Sequence, residues 1–289
     1  MRPGILMRPI AALLFACIWL LMQQAVAQNT APLPSFEQLE AEGAVIGEVR
    51  IDNQNIFDLN DPKENNLLFR LANTLHIRTR PSVIRRALLF KSGEPVSVQL
   101  IEETERLLRD NNYLYDVKIR PLAYQDGVVD IEVTTRDTWT LDLGLGFTRK
   151  GGDNETKYGL EEYNLLGTGI GIGWQRTIID EGTTDQFEFQ IDQLFGTRTR
   201  LGYSYEERHD GKGQFASLVR PFYALDARWA AGVKGSTADR LISSYTDGVL
   251  TGQYRQDRDL VNVFGGWSKG LIDGWTRRYS AGLDYLKDD

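Results

Sequence analysis

The stretch from Thr138 to Thr148 alternates apolar residues with small or polar ones. Period two predicts a β-strand with one apolar and one polar face. Eight steps of about 3.3 Å span about 26 Å, or about 20 Å in height at a tilt of roughly 40°. This fits a lipid-facing barrel strand with aromatic residues near both interfaces. A strand of a water-soluble β-sandwich is the alternative. The apolar positions are Trp139, Leu141, Leu143, Leu145 and Phe147, and Asp142, Gly144 and Gly146 lie between them.

Similar alternation continues after Arg136 to the end of the chain, and helical patterns cease there. We count about ten strands in residues 137–289. The connections differ in composition: segments such as RKGGDNET and IDEGTTD predict long polar loops, and LLGTG and FGTR predict short turns. Outer-membrane barrels have long outer loops and short periplasmic turns. The sequence therefore predicts an antiparallel transmembrane β-barrel in residues 137–289.

Residues 44–136 have a mixed pattern. A strand at Ala44–Asp52 precedes two helical segments, RPSVIRRALLF and SVQLIEETERLLRDNN, the second with Ser97 as its N-cap. Two strands joined by a turn at Asp126-Gly127 follow. The order β-α-α-β-β predicts an α+β domain with both helices on one face of a small sheet. LLFRLANTLHIRT, before the helices, fits a short helix or a strand.

The chain begins with features of a secretory signal peptide. Arg2 and Arg8 precede an apolar run, and Ala25-Val26-Ala27 resembles a cleavage site, so residues 1–27 are predicted to be removed. An uncleaved anchor helix is the alternative, but the run is short for a membrane span. Residues 28–43 are then a short linker. Cys17 is the one cysteine, so the predicted mature chain forms no disulfide.

Composition and motifs argue against several function classes. With 33 Lys and Arg against 40 Asp and Glu, the net charge is −7, and no basic patch predicts nucleic-acid binding. The 2 histidines, His76 and His209, are far apart, so we predict no metal site. Gly169, Gly171 and Gly173 have strand spacing rather than that of a phosphate loop. We predict neither enzymatic activity nor a cofactor.

Two segments resemble a known family. RPSVIRRALLFKSGEPVSVQLIEETERLLRDNNYLYDVKI, followed by GVVDIEVTTRDTWTL, resembles a polypeptide-transport-associated (POTRA) domain running into its barrel, and GLEEYNLLGTGIGIG resembles the start of that barrel. The family is the BamA/TamA-like outer-membrane assembly factors with a surface-antigen-type barrel. The resemblance implies a POTRA domain at residues 44–136 that lies in the periplasm and receives unfolded substrate.

The same resemblance implies that the first barrel strand forms one side of a lateral seam. Barrels of the family have roughly sixteen strands, and their Arg-Gly-Phe/Tyr loop motif is absent here. We therefore expect a chain truncated within its barrel, with an unusually small barrel as the alternative. Trp139 and Phe147 are predicted interfacial anchors, because aromatic residues prefer that level of the bilayer. The predicted seam residues are Leu141, Leu143, Gly144, Leu145 and Gly146.

Strand addition is the mechanism that the pattern favours. The strand from Tyr115 to Pro121 is expected at an edge of the small sheet, where unpaired backbone groups could bind an incoming chain. The predicted partners are unfolded outer-membrane or secreted proteins and the lipid bilayer, with periplasmic or lipoprotein subunits as candidate accessories. A secretion barrel dedicated to one exported partner, and a plain outer-membrane pore, are the alternatives. The predicted receiving residues are Val117, Lys118, Ile119 and Arg120.

Overall fold

The computed structural model describes residues 33–289, so the predicted signal peptide lies outside the described residues. The described chain contains a small domain, residues 36–137, and a large antiparallel sheet, residues 141–288. None of the helices described within residues 33–289 is long and apolar enough to cross a membrane.

The small domain combines helices with a mixed sheet. The sheet order is β1-β3-β2, with β1 parallel and β2 antiparallel to the central strand β3. The helices are α1 (Phe36–Ala41), α2 (Leu67–Leu75), α3 (Pro81–Ala87) and α4 (Val98–Arg109); the strands are β1 (Val45–Gln54), β2 (Leu114–Gln125) and β3 (Val128–Asp137).

Several local predictions for this domain are confirmed. The side chain of Ser97 accepts a hydrogen bond from the N–H of Leu100 and caps α4. Asp126 and Gly127 both have positive φ, 52° and 79°, as a type I′ hairpin turn requires. Helices α3 and α4 follow β1 and precede the hairpin in the predicted order.

Two helices extend the predicted pattern. Helix α1 lies within residues 28–43, which the sequence predicts to be a linker, and its Leu39 is fully buried in the domain core. The segment that fitted either a helix or a strand forms α2. The core lies between the sheet and helices α1, α3 and α4; its most buried members are Leu39, Ile46, Ile84, Leu108, Val117, Val129, Ile131 and Val133.

The large sheet has nine strands in sequence order, where about ten were predicted. Every neighbouring pair is antiparallel. Strands β4 and β12 are its two edges, and within the described part of the chain the sheet is not closed into a barrel. The strands are β4 (Leu141–Lys150), β5 (Asp153–Glu162), β6 (Ile170–Ile179), β7 (Gly182–Ile191), β8 (Arg200–Arg208), β9 (Gly211–Arg220), β10 (Trp229–Thr246), β11 (Val249–Ile272) and β12 (Trp275–Asp288).

The predicted contrast in loop lengths is wrong. The polar segments expected to be long loops are mostly strand, and tight turns such as Gly151-Gly152 and Asp247-Gly248 join them. The connections expected to be short are the longer ones, for example residues 192–199 and 221–228. Polar residues can continue a hairpin because ladder hydrogen bonds use the backbone and not the side chains. Composition therefore misplaced the ends of these strands.

Candidate functional site

The predicted receiving strand lies at an edge of the small sheet. Strand β2 pairs with β3 on one side, and no strand formed by residues 33–289 lies on its other side. Val117 and Ile119 point into the core and are buried, whereas Lys118 and Arg120 are exposed. The prediction that β2 is an edge strand is therefore confirmed.

Side chains from α4 cover the free edge of β2. A carboxylate oxygen of Glu105 accepts a hydrogen bond of 2.6 Å from the N–H of Ile119, and Arg109 donates one of 3.0 Å to the carbonyl of Val117. Glu105 and Arg109 are joined by an ion pair of 2.5 Å. An incoming strand would need these same backbone groups, so it must displace both side chains.

Asp116 binds a further backbone group at the free edge of β2. Its carboxylate accepts a hydrogen bond of 2.9 Å from the N–H of Val117. The hydrogen bond from Lys118, 2.7 Å away, lowers the pKa of the Asp116 carboxyl. Pro121 has no N–H to offer. The outward donors of Val117 and Ile119 thus both have carboxylate partners within the domain.

The predicted seam strand is also an edge. Among residues 33–289, β4 pairs only with β5. Leu143, Leu145 and Phe147 are exposed, and the Leu145 side chain is 88% exposed. On the opposite face, Gly144 and Gly146 have no side chains at two successive positions, and glycine within a strand weakens its packing.

The register of the large sheet separates two chemically different faces. One ladder row runs across five strands through Leu143, Leu160, Trp174, Phe187 and Tyr205. We call the face that carries this row the apolar face. The adjacent row belongs to the opposite, polar face and runs through Asp142, Glu161, Gly173, Glu188 and Ser204.

A buried polar cluster joins the small domain to the large sheet. Asp137, the last residue of β3, is fully buried; its Oδ2 accepts hydrogen bonds from the backbone N–H of Thr79 at 2.6 Å and pairs with His76 Nε2 at 2.9 Å. Asn164, in the β5–β6 turn, donates from Nδ2 to Thr79 Oγ1 at 2.7 Å and accepts from the N–H of Gly169 at 2.7 Å. These bonds fix the chain direction just before β4.

The small domain contacts three successive turns of the large sheet. In the first turn the carbonyl of Gly167 accepts from the N–H of Arg80 at 2.9 Å. In the second, Arg198 donates to the carbonyl of Leu88 at 2.8 Å. In the third, the N–H of Leu225 donates to Glu103 at 2.8 Å. Contacts from three turns hold the domain against one end of the sheet.

A polar cavity of about 470 Å³ lies at this junction. The segment Asp110–Tyr113, between α4 and β2, forms one wall. The polar face of the large sheet forms the other through Glu161, Glu188 and Asp192. Burial raises the pKa of the Tyr113 phenol, and the negative charges of nearby Asp192 and Asp137 raise it further. The cavity thus connects the start of β2 with the polar face next to β4.

Sequence reasoning did not find the polar cluster. Thr79, Asp137 and Asn164 are far apart in the chain and form no recognisable motif. It also gave no role to Glu105 and Arg109. Their spacing of one helical turn is visible in the sequence, but it reads as an ordinary helix ion pair.

A family model identifies part of the small domain. The model is POTRA, described as the surface antigen variable number repeat, and it matches residues 75–136. Residues 75–136 form a POTRA domain. The resemblance predicted from RPSVIRRALLF and the segments after it is therefore confirmed for this part of the chain, and we use the name POTRA domain for the small domain from here on.

Three solved structures are similar to this chain over most of its length. BamA from Haemophilus ducreyi lacking POTRA domains 1–3 matches at 14% identity and a TM-score of 0.44, over 84% of this chain and 56% of that one. CdiB from Acinetobacter baumannii matches at 12% identity and a TM-score of 0.44, over 100% and 72%. CdiB from Escherichia coli matches at 12% and 0.39, over 83% and 45%.

The chain spans about half the length of the BamA structure that it matches. No curated protein matches the sequence. The predicted fold class was an α+β POTRA domain followed by an antiparallel β-barrel. The described residues confirm it as a POTRA domain followed by a large antiparallel sheet of nine strands.

Proposed function

We propose that this protein resides in the outer membrane and inserts or translocates other proteins there by strand addition. The observation that carries the proposal is the position of β4: it is the edge of the large sheet and the first strand after the POTRA domain. An edge strand presents unpaired N–H and C=O groups that can pair with another chain.

The two faces of the large sheet support a membrane location. The apolar row from Leu143 to Tyr205 would meet lipid, and the polar row from Asp142 to Ser204 would meet the water-filled interior. The contacts of the POTRA domain with three turns at one end of the sheet would place that end in the periplasm. Trp139 and Phe147 are the proposed interfacial anchors of β4.

The proposed route of a substrate begins at β2 and ends at β4. An extended substrate segment would pair with Val117 and Ile119 once Glu105 and Arg109 move aside. Lys118 and Arg120 point to solvent and would contribute through charge to neighbouring substrate side chains. The polar cavity beside Glu161 and Glu188 would give a polar segment a wet path toward β4. Leu141, Leu143 and Leu145 would then flank the new strand at the seam.

Glycines in β4 favour exchange at the seam. Nothing lies within 4 Å of the site where a Cβ would be at Gly144, so this part of the strand has no inward side-chain packing. Fewer side-chain contacts lower the free energy needed to separate or re-pair the strand. Backbone pairing with little side-chain demand suits partners of varied sequence, namely unfolded outer-membrane or secreted proteins.

Site-specific crosslinking in living cells tests this function. A photoreactive phenylalanine analogue replaces Leu145 in β4, and in a matched control it replaces Tyr203, which lies on the apolar face in the central strand β8. We expect adducts with newly made outer-membrane proteins at Leu145, mapped by mass spectrometry to one of their strands, and none at Tyr203. Equal adducts at both positions, or none at Leu145, would contradict the proposal.

A further inference from the structure

Helix α2 exposes an apolar stripe. Leu67, Leu68, Leu71 and Leu75 lie on one side of the helix, at the spacing of successive turns. Leu67 is 81% exposed and Leu71 is 53% exposed, and no residue of the helix is fully buried. A water-soluble surface helix would turn this stripe toward the domain core.

The opposite side of α2 holds the helix in place. Phe69 stacks on Phe57 with ring centroids 3.8 Å apart. Asn73 accepts a hydrogen bond of 3.1 Å from the N–H of Phe57 and donates one of 2.8 Å to its carbonyl. Asn66 caps the first turn through the N–H of Phe69 at 3.0 Å. The leucine stripe is therefore not what attaches α2 to the POTRA domain.

The stripe continues into the apolar face of the large sheet. Leu75 and Ile77, at the end of α2, line a cleft of about 170 Å³ together with Trp139, Leu141 and Leu166. Leu141 has the same strand parity as Leu143, which belongs to the apolar face, and Trp139 lies two residues before β4. The bond between His76 and Asp137 fixes the end of α2 beside this cleft.

We propose that α2 lies in the periplasmic interface of the outer membrane, with its leucine stripe in contact with lipid. The inference rests on the proposed function, because it needs the apolar face to meet a bilayer. An amphipathic helix binds an interface by burying its apolar side among the acyl chains. Since the end of α2 and the start of β4 line the same cleft, a bilayer that covers one would reach the other.

The composition of the stripe favours lipid over a protein partner. Leucine alone forms the stripe along α2, whereas the centres of protein interfaces are enriched in aromatic residues, Met and Arg. The short helix would hold the POTRA domain at a fixed height beside β4. Substrate leaving the POTRA edge would then arrive close to the membrane surface.

Fluorescence quenching by lipid tests this inference on the full chain. In a Cys17→Ser background, a single cysteine replaces Leu71 and carries an environment-sensitive fluorophore. The protein is reconstituted into vesicles of phosphatidylethanolamine and phosphatidylglycerol containing phospholipids brominated along their acyl chains, so that labels at the interface and deeper in the bilayer are both within reach of the quencher. Leu143→Cys reports insertion of the sheet. Leu122→Cys, an exposed leucine far along β2 from the junction, is the control outside the membrane.

We expect brominated lipid to quench the labels at positions 71 and 143 and to leave the label at 122 unchanged. Quenching at 143 without quenching at 71 would overturn the inference and leave the proposed function standing. A label at 71 that is shielded from water but not quenched would indicate a protein on the stripe and also overturn it. Absence of quenching at both 71 and 143 would contradict the membrane location itself.

A substitution provides a second readout. Leu71→Gln keeps a residue with good helix propensity and removes apolar surface. We expect a label placed at Leu67 in this variant to be quenched less than in the parent, with the quenching at 143 unchanged. Unchanged quenching at 67 would mean that the stripe does not set the depth of α2.

Discussion

Glu105 accepts a hydrogen bond of 2.6 Å from the backbone N–H of Ile119, so a helix side chain occupies the place that an added strand would need. Arg109 makes the matching contact with the carbonyl of Val117. The edge of β2 is therefore protected in the state described here. Protection of an edge by charged side chains is a common way to prevent unwanted pairing.

Removal of Arg109 should open this edge. Arg109→Ala loses both the ion pair with Glu105 and the bond to Val117. We expect unfolded outer-membrane peptides to bind about two- to five-fold more tightly, because a half-exposed contact of this kind contributes on the order of 0.5–1 kcal/mol. Peptide titration followed by fluorescence anisotropy gives the affinity.

Arg106→Ala is the matched control for that titration. Arg106 lies between Glu105 and Arg109 in the chain but bonds to Glu103 and Asp110 rather than to β2. Equal affinities of the Arg106 and Arg109 variants would mean that substrate does not enter at β2.

The polar cluster at the junction should matter for stability. Asn164→Ala leaves Thr79 Oγ1 and the N–H of Gly169 without their partners. We expect a loss of about 1–3 kcal/mol, the usual cost of leaving buried polar groups unpaired. Urea unfolding in detergent, followed by tryptophan fluorescence, measures it.

Gln193→Ala tests the equivalent place in the next turn. Gln193 donates a longer bond, 3.3 Å, to the carbonyl of Val83 and is only partly buried. Its loss should cost less than the loss of Asn164. The reverse order would show that the cluster around Asn164 does not hold the two parts together.

Two turn glycines should differ in their tolerance of alanine. Gly167 and Gly196 both have positive φ, 69° and 72°, which costs an alanine about 1–2 kcal/mol. At Gly167 a Cβ would also overlap the carbonyl oxygen of Arg78. At Gly196 it would meet the flexible Arg86 side chain at 3.1 Å.

We therefore expect Gly167→Ala to lower the unfolding midpoint clearly more than Gly196→Ala. Thermal unfolding of both variants in the same detergent makes the comparison. Equal midpoints would indicate that the POTRA domain does not approach the β5–β6 turn as closely as described.

Much of the fold could be predicted because its signals are local. Alternation identified β4 and most later strands, and Asp126-Gly127 identified the β2–β3 turn. The ends of the strands could not be predicted, because polar residues in a hairpin resemble a loop. Helix α2 was ambiguous because its apolar run is short, and a short apolar run fits a helix or a strand.

The receiving edge could be predicted only in part. The sequence indicated β2, but the cover formed by Glu105 and Arg109 depends on how α4 packs. The cover also changes which residue is a useful probe. Val117 and Ile119 direct their backbone groups outward, so those of Lys118 point toward β3 in an antiparallel ladder. From the sequence alone, Lys118→Pro would be a natural probe of the free edge. In the structure it would instead remove an N–H on the side of β3 and break the sheet itself.

Two arginine variants test whether the large sheet lies in the membrane with Leu143 toward lipid and Asp142 toward the interior. The measurement is the fraction of each variant that folds into lipid bilayers. Arginine near the middle of the lipid face costs about 2–4 kcal/mol, while interior positions tolerate charge. We expect Leu143→Arg to reduce the folded fraction in lipid vesicles strongly and Asp142→Arg to leave it nearly unchanged. Equal effects of the two substitutions would contradict it.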